Sequence, residues 1–159
     1  LWETVTFQNS SSQGHLRGWI EGMEAIWQQP WGLGLGSSGH IGSRFGDQVG
    51  GENQFVILGV DLGLIGLGFY ILILLSAIRS SLQAMRRTEG VTQGLAFVAA
   101  AAKLGLLIPT FTSHIEVYVF AMFITWWLVG FSAQQLGTAQ VIARSSAENV
   151  EELKFANSH

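Results

Sequence analysis

FVILGVDLGLIGLGFYILILLSAI, running from Phe55 to Ile78, is 24 residues long and holds a single charge, Asp61. A helix of that length measures about 36 Å, enough to cross roughly 30 Å of hydrocarbon with some tilt. So long and uniform an apolar run exceeds what a buried helix of a soluble domain needs, and it reads as a membrane span. Two further apolar stretches follow it. The second, at 94–111, contains Lys103, and its alanine-rich part from Phe97 to Ala102 suits close packing between helices. The third, at 115–133, carries Trp126 and Trp127. The expected fold is all-α. Three polytopic membrane helices fill a region at 54–133, preceded by a loop at 1–53 with an extracytoplasmic amphipathic helix and a Gly-rich stretch, and followed by a cytoplasmic tail at 134–159.

Composition agrees with this reading. Of the 159 residues 48% are hydrophobic and 12% charged, whereas an ordinary soluble domain is about a quarter charged. So few charges cannot cover a globular surface. The net charge of -3 and the scattered Lys and Arg exclude nucleic acid as a partner, since phosphate binding needs clustered basic residues. Cysteine is absent, which removes disulfides, thiolate metal sites and a Cys nucleophile. The chain opens at Leu1 with neither an initiator Met nor a signal peptide, so it reads as the C-terminal portion of a longer protein.

Orientation follows from the short loops. Arg79, Arg86 and Arg87 lie between the first two spans, whereas 1–53 carries Arg17 and Arg44 against Glu3, Glu21, Glu24, Asp47 and Glu52. The Arg-rich loop is therefore expected on the cytoplasmic side, with 1–53 and the turn from Thr112 to His114 outside. Between His15 and Gln29 the apolar residues Leu16, Trp19, Ile20, Met23, Ile26 and Trp27 mark one face of a helix, expected to lie at the interface. Gln28-Gln29-Pro30 ends it, because Pro cannot continue a helix and restricts the residue before it. The glycine-rich stretch from Gly32 to Gly51 is expected to be irregular, a flexible hinge over the membrane surface. The tail, with Glu148, Glu151 and Glu152, is expected to be a short surface helix or disordered.

Several chemistries are disfavoured. Trp31 to His40, WGLGLGSSGH, offers backbone N–H groups but lacks the Lys-Ser/Thr ending of a nucleotide loop and follows no strand. His15, His40, His114 and His159 show no metal-ligand spacing, and the Ser and His residues show no nucleophile elbow. Two features remain. Glu52, in GGENQF just before the first span, is a candidate general base if the membrane boundary desolvates it; the alternative is a solvated residue favoured by the helix dipole. Asp61 and Lys103 both fall roughly 10 Å below the outer surface, where charges are paired or functional; a structural pair is expected.

The amphipathic helix ending in QQPWGLGLGSSG, followed by GENQFVILGVDLGLIGLGFY at the start of a span, resembles the C-terminal portion of the O-antigen ligase and polysaccharide polymerase superfamily over about residues 13–133. That family has an Arg four residues before a Trp, then a Pro-x-Gly-x-Gly-x-Gly run. Later come a His-Asn pair, an aromatic residue and a helix with two glycines spaced by hydrophobic residues. Trp19, Pro30, Gly32, Gly34, Gly36, Asn53, Phe55, Gly63 and Gly66 occupy those places. The chain departs from the pattern with His15 where the Arg usually stands, Arg17 two residues on, and Glu52 in place of the His before Asn53.

The resemblance implies metal-independent, cofactor-free glycosyl transfer on the outer face of the bacterial cytoplasmic membrane. A glycan moves from undecaprenyl diphosphate to a glycan or lipid acceptor, among membrane lipids. On that basis Glu52 and His15 are the catalytic candidates. Arg17, Arg44, Trp19, Asn53 and His40 are the candidates for binding diphosphate and glycan. Earlier spans would complete the groove, so this portion alone is not expected to catalyse. The competing expectation is a piece of a polysaccharide exporter or other transporter, with Asp61 and Lys103 on its path; broken helices and inverted repeats would mark it, and the sequence displays neither. A noncatalytic membrane scaffold is the third alternative.

Overall fold

A computed structural model describes residues 10–39, 42, 44, 49–115 and 118–156. Among the described residues there are four α-helices: α1 (Ser10–Gln28), α2 (Gln54–Arg87), α3 (Gly90–Thr112) and α4 (Val119–Ala156). The last three are long and apolar enough to cross a membrane. Two compact units are formed, one from Leu1–Leu74 with Gly105–Met122, the other from Leu75–Leu104 with Phe123–His159.

In the first unit α1 stops where the sequence predicts: the Gln29 amide still bonds to the Ala25 carbonyl at 2.9 Å, and Pro30 follows. Most of its apolar face stays open. Ile26 is buried against Val56 and Val60, and Trp19 is half-buried, but Leu16, Ile20, Met23 and Trp27 are exposed. Glycines make the closest approach beside Ile26. A Cβ on Gly18 would lie 2.8 Å from the Gly51 backbone, and one on Gly22 would meet Val56. Backbones approach this closely only where side chains are missing, and that decides which face turns in.

The expected straight span at 55–78 is corrected by the structure. Gly63 sits at φ 69°, ψ -173°, breaking α2, and the rings of Phe55 and Tyr70 are 5.9 Å apart, where an unbroken helix would separate them by about 22 Å. Residues 54–62 therefore fold back beside the start of a second piece, which runs from 64 to 87 and is itself about 36 Å long. A positive φ opens no comparable bend for a residue with a side chain.

The second unit packs Leu75–Arg87 of α2, Gly90–Leu104 of α3 and α4 from Phe123 onward around small residues. Ala77 and Ala99 meet Leu128 and Val129, and Ala84 and Ala96 meet Leu136. This close approach is the packing expected of the alanine-rich stretch. At the end of α2 the Thr88 amide and hydroxyl both donate to the Ala84 carbonyl, at 3.0 and 2.8 Å, and Gln93 Nε2 donates to the Met85 carbonyl at 3.2 Å. These bonds occupy carbonyls a helix end leaves open. The expected separate tail is also corrected. Helix α4 runs without interruption through Ala156, so residues 134–156 prolong the third span. Polarity does not by itself end a helix; no Pro follows the span, and the helix passes through Gly137.

Candidate functional site

The Gly-rich run docks into the break of α2. A bend at Gly63 frees carbonyls that the helix ladder would otherwise use. Leu33 N donates to the Val60 carbonyl at 2.7 Å, Gly34 N to the Asp61 carbonyl at 3.1 Å, and Leu64 N in return to the Pro30 carbonyl at 2.9 Å. Gly32, Gly34 and Gly36 hold φ values of 92°, 105° and 84°, which a Cβ would strain. Gly32 and Gly63 cross backbone on backbone: a Cβ at Gly32 would stand 2.6 Å from Gly63 N and 2.7 Å from the Asp61 carbonyl oxygen. The expectation of a flexible hinge here is therefore corrected; the run is a fixed plug with backbone partners.

Asp61 anchors the same loop through its side chain. Oδ2 accepts from Gly36 N at 2.9 Å and Oδ1 from Ser38 Oγ at 2.7 Å. Lys103, in the other unit, is 3% exposed, with Nζ 3.5 Å from the centroid of the Trp126 ring. Each charge of the expected pair thus has an identified contact within its own unit. The depth of about 10 Å inferred for Asp61 assumed a straight helix and does not survive the bend. Gly39, next to Ser38, closes on Ile57 and His114: a Cβ there would stand 3.6 Å from His114 Nδ1. His114 joins this neighbourhood from a turn far along the chain, and no local spacing in the sequence could have shown it.

A second cluster lies where α1 meets the start of α2. A Cβ on Gly51 would stand 3.4 Å from Trp19 Cδ1 and 3.6 Å from the His15 carbonyl oxygen, so the His15–Trp19 turn rests on the residue before Glu52. His15 and Glu52 are both half-buried. Asn53, 5% exposed, caps α2, its Oδ1 accepting from Phe55 N at 2.9 Å and Val56 N at 3.2 Å. This supplies the N-terminal amides with the acceptor they lack and commits the carbonyl side of Asn53 to structure. Trp19 Nε1 and Gln54 Oε1 are buried with no hydrogen-bond partner among the described residues. Such orphans cost about 1–3 kcal/mol each unless something binds them. Sequence reasoning singled out Trp19 and missed Gln54, whose burial at 2% exposure only the tertiary structure shows.

The remaining candidates stand apart. Arg17 is 83% exposed on its side chain and bonds Glu21 Oε1 at 2.8 Å, and Arg44 is exposed. Arg17, two positions from His15, points to another helix face, as its spacing implies. His40 lies outside the described residues. Beside α1 a groove of about 280 Å³ is lined by Glu21, Glu24, Gln28 and Gln29 together with Leu33 and others. Among the described residues no three His, Cys, Asp or Glu side chains gather to hold a metal ion. Compared with protein-family models, curated proteins and solved structures, the chain matches none.

Proposed function

We propose that the chain takes part in glycan transfer from a lipid diphosphate at the outer face of a bacterial cytoplasmic membrane, the function its resemblance to O-antigen ligases and polymerases implies. The observation that carries the reading is the seating of the His15–Trp19 turn on Gly51, beside Glu52 and two orphaned buried polar atoms. In this reading Glu52 takes the proton of the acceptor hydroxyl, whose oxygen attacks the anomeric carbon. The bond from that carbon to the diphosphate oxygen breaks, and the diphosphate leaves with the electron pair, stabilised by protonated His15. Arg17 is exposed and engaged by Glu21, so it is the weaker candidate for that task.

Two further features support it. The groove beside α1 presents carboxylates and carboxamides, the groups that bind sugar hydroxyls. The exposed stripe of Leu16, Ile20, Met23 and Trp27 next to polar Arg17, Glu21, Glu24 and Gln28 is the pattern of a helix lying on a bilayer, where a lipid-linked donor presents its headgroup.

One observation favours the transporter reading as a second choice: the broken helix α2, with loop backbone filling the break beside Asp61. Discontinuous spans of this kind line substrate paths in carriers. Surface-glycan assembly separates the two readings in cells expressing the complete gene with Glu52→Gln. Loss of finished product with lipid-linked glycan accumulating outside the membrane is the expected result. Wild-type product would end the assignment of Glu52 as base, and accumulation only on the cytoplasmic face would turn the proposal to transport.

A further inference from the structure

The Arg-rich end of the second unit holds a groove of about 440 Å³ lined by Met85, Arg86, Gly90, Gln93, Gly94 and Phe97. Its make-up changes along the helices. Arg86 and Gln93 stand at the end where α2 gives way to α3, while Phe97, 58% exposed, lies one turn farther along α3. Gly90 and Gly94 contribute no side chains, and a Cβ on Gly94 would find nothing within 4 Å, so the space between the two helices is open. Gln93 is turned to the Met85 carbonyl and forms part of the wall, leaving Arg86 as the charged residue of the lining. Arg79 and Arg87 are exposed on the same stretch of α2; Glu89 is the carboxylate of the turn and does not line the groove.

From this combination we infer a binding site for one anionic glycerophospholipid of the surrounding bilayer, its phosphate on Arg86 and the first part of an acyl chain against Phe97 and Met85. Both helices are long and apolar enough to cross a membrane, so their polar ends lie at the headgroup level. A basic group there, above an apolar slot between helices, matches a phospholipid in charge and in the order of its parts. A soluble anion would use the Arg86 end alone and leave the apolar half of the groove without a role.

The test is native mass spectrometry of the full chain in detergent micelles, with phosphatidylglycerol or phosphatidylcholine added. The wild-type chain should retain phosphatidylglycerol about fivefold over phosphatidylcholine, the factor one interfacial basic residue supplies. Arg86→Gln should remove that preference, and Gly94→Leu, which fills open space without touching the core, should reduce retention of both lipids. Arg144→Gln, an exposed residue paired with Glu148, serves as the control and should behave as wild type. Equal retention of the two lipids by the wild-type chain, or undiminished retention in both groove variants, overturns the site. Displacement of phosphatidylglycerol by excess inorganic phosphate would overturn the lipid assignment in favour of a simple anion site.

Discussion

Replacing Gly32 by Ala tests the plug in α2 most directly, with Gly34→Ala as its internal standard. Both glycines have positive φ, 92° and 105°, so either alanine should cost about 1–2 kcal/mol in backbone conformation. The two differ in what surrounds them. At Gly34 the nearest atom to a new Cβ is Ser37 Oγ, at 4.0 Å, whereas at Gly32 it would meet Gly63 N, the Asp61 carbonyl oxygen and Leu62 C at 2.6 to 2.9 Å. All three are backbone atoms of a helix end, and none can turn aside. Overpacking of this kind adds about 1–3 kcal/mol. If the loop withdraws instead, three backbone bonds to Val60, Asp61 and Pro30 are lost, at about 1 kcal/mol each. Either route puts Gly32→Ala about 1–3 kcal/mol below Gly34→Ala. Denaturant unfolding in micelles measures the gap, and hydrogen exchange over residues 30–36 locates it. Equal midpoints for the two variants, with unchanged exchange in that segment, would refute the docking of the loop into the break.

Two other outcomes are expected. On α1, Gly14→Ala should be neutral or stabilising by up to about 1 kcal/mol, since it adds helix propensity in open space; Gly18→Ala should destabilise because its Cβ meets the Gly51 backbone, and thermal unfolding of the pair reads the difference. Asp61→Leu should cost about 3 kcal/mol by leaving Gly36 N and the Ser38 hydroxyl without their carboxylate, and Asp61→Asn less because one acceptor is retained. Faster amide exchange at Gly36 in both variants, graded in that order, checks it.

Much of the fold could be read from residue patterns because those patterns are local. The apolar runs fix three spans, Pro30 fixes the end of α1, and the alanines of α3 mark a close-packed face. The site was legible only where neighbours in sequence are neighbours in space, as with Glu52 beside Asn53. Gly63 reads equally well as a small residue in a membrane helix or as a break. The choice depends on whether another segment can receive the freed carbonyls, and that segment lies some thirty residues away at Pro30–Gly34. Helix phase alone already set Arg17 on a different face from His15 and Trp19, and the exposed Arg17–Glu21 pair agrees with it.

The amino-acid sequence by itself determined an all-helical chain with three segments able to cross a membrane, because hydrophobicity and length act residue by residue. Its many glycines also pointed to an irregular stretch after Pro30; that expectation holds for 31–38 and is corrected beyond, where Gly39, Gly42 and Arg44 are helical and Gly42 N donates to the Ser38 carbonyl at 3.2 Å. Tertiary structure alone decided that this stretch is the plug of a broken span, that Gly18 and Gly22 of α1 turn inward beside Ile26, and that Asp61 serves the loop. Each of those outcomes depends on backbone groups finding partners across the fold, and buried N–H and C=O groups take whichever partner the packing brings within reach.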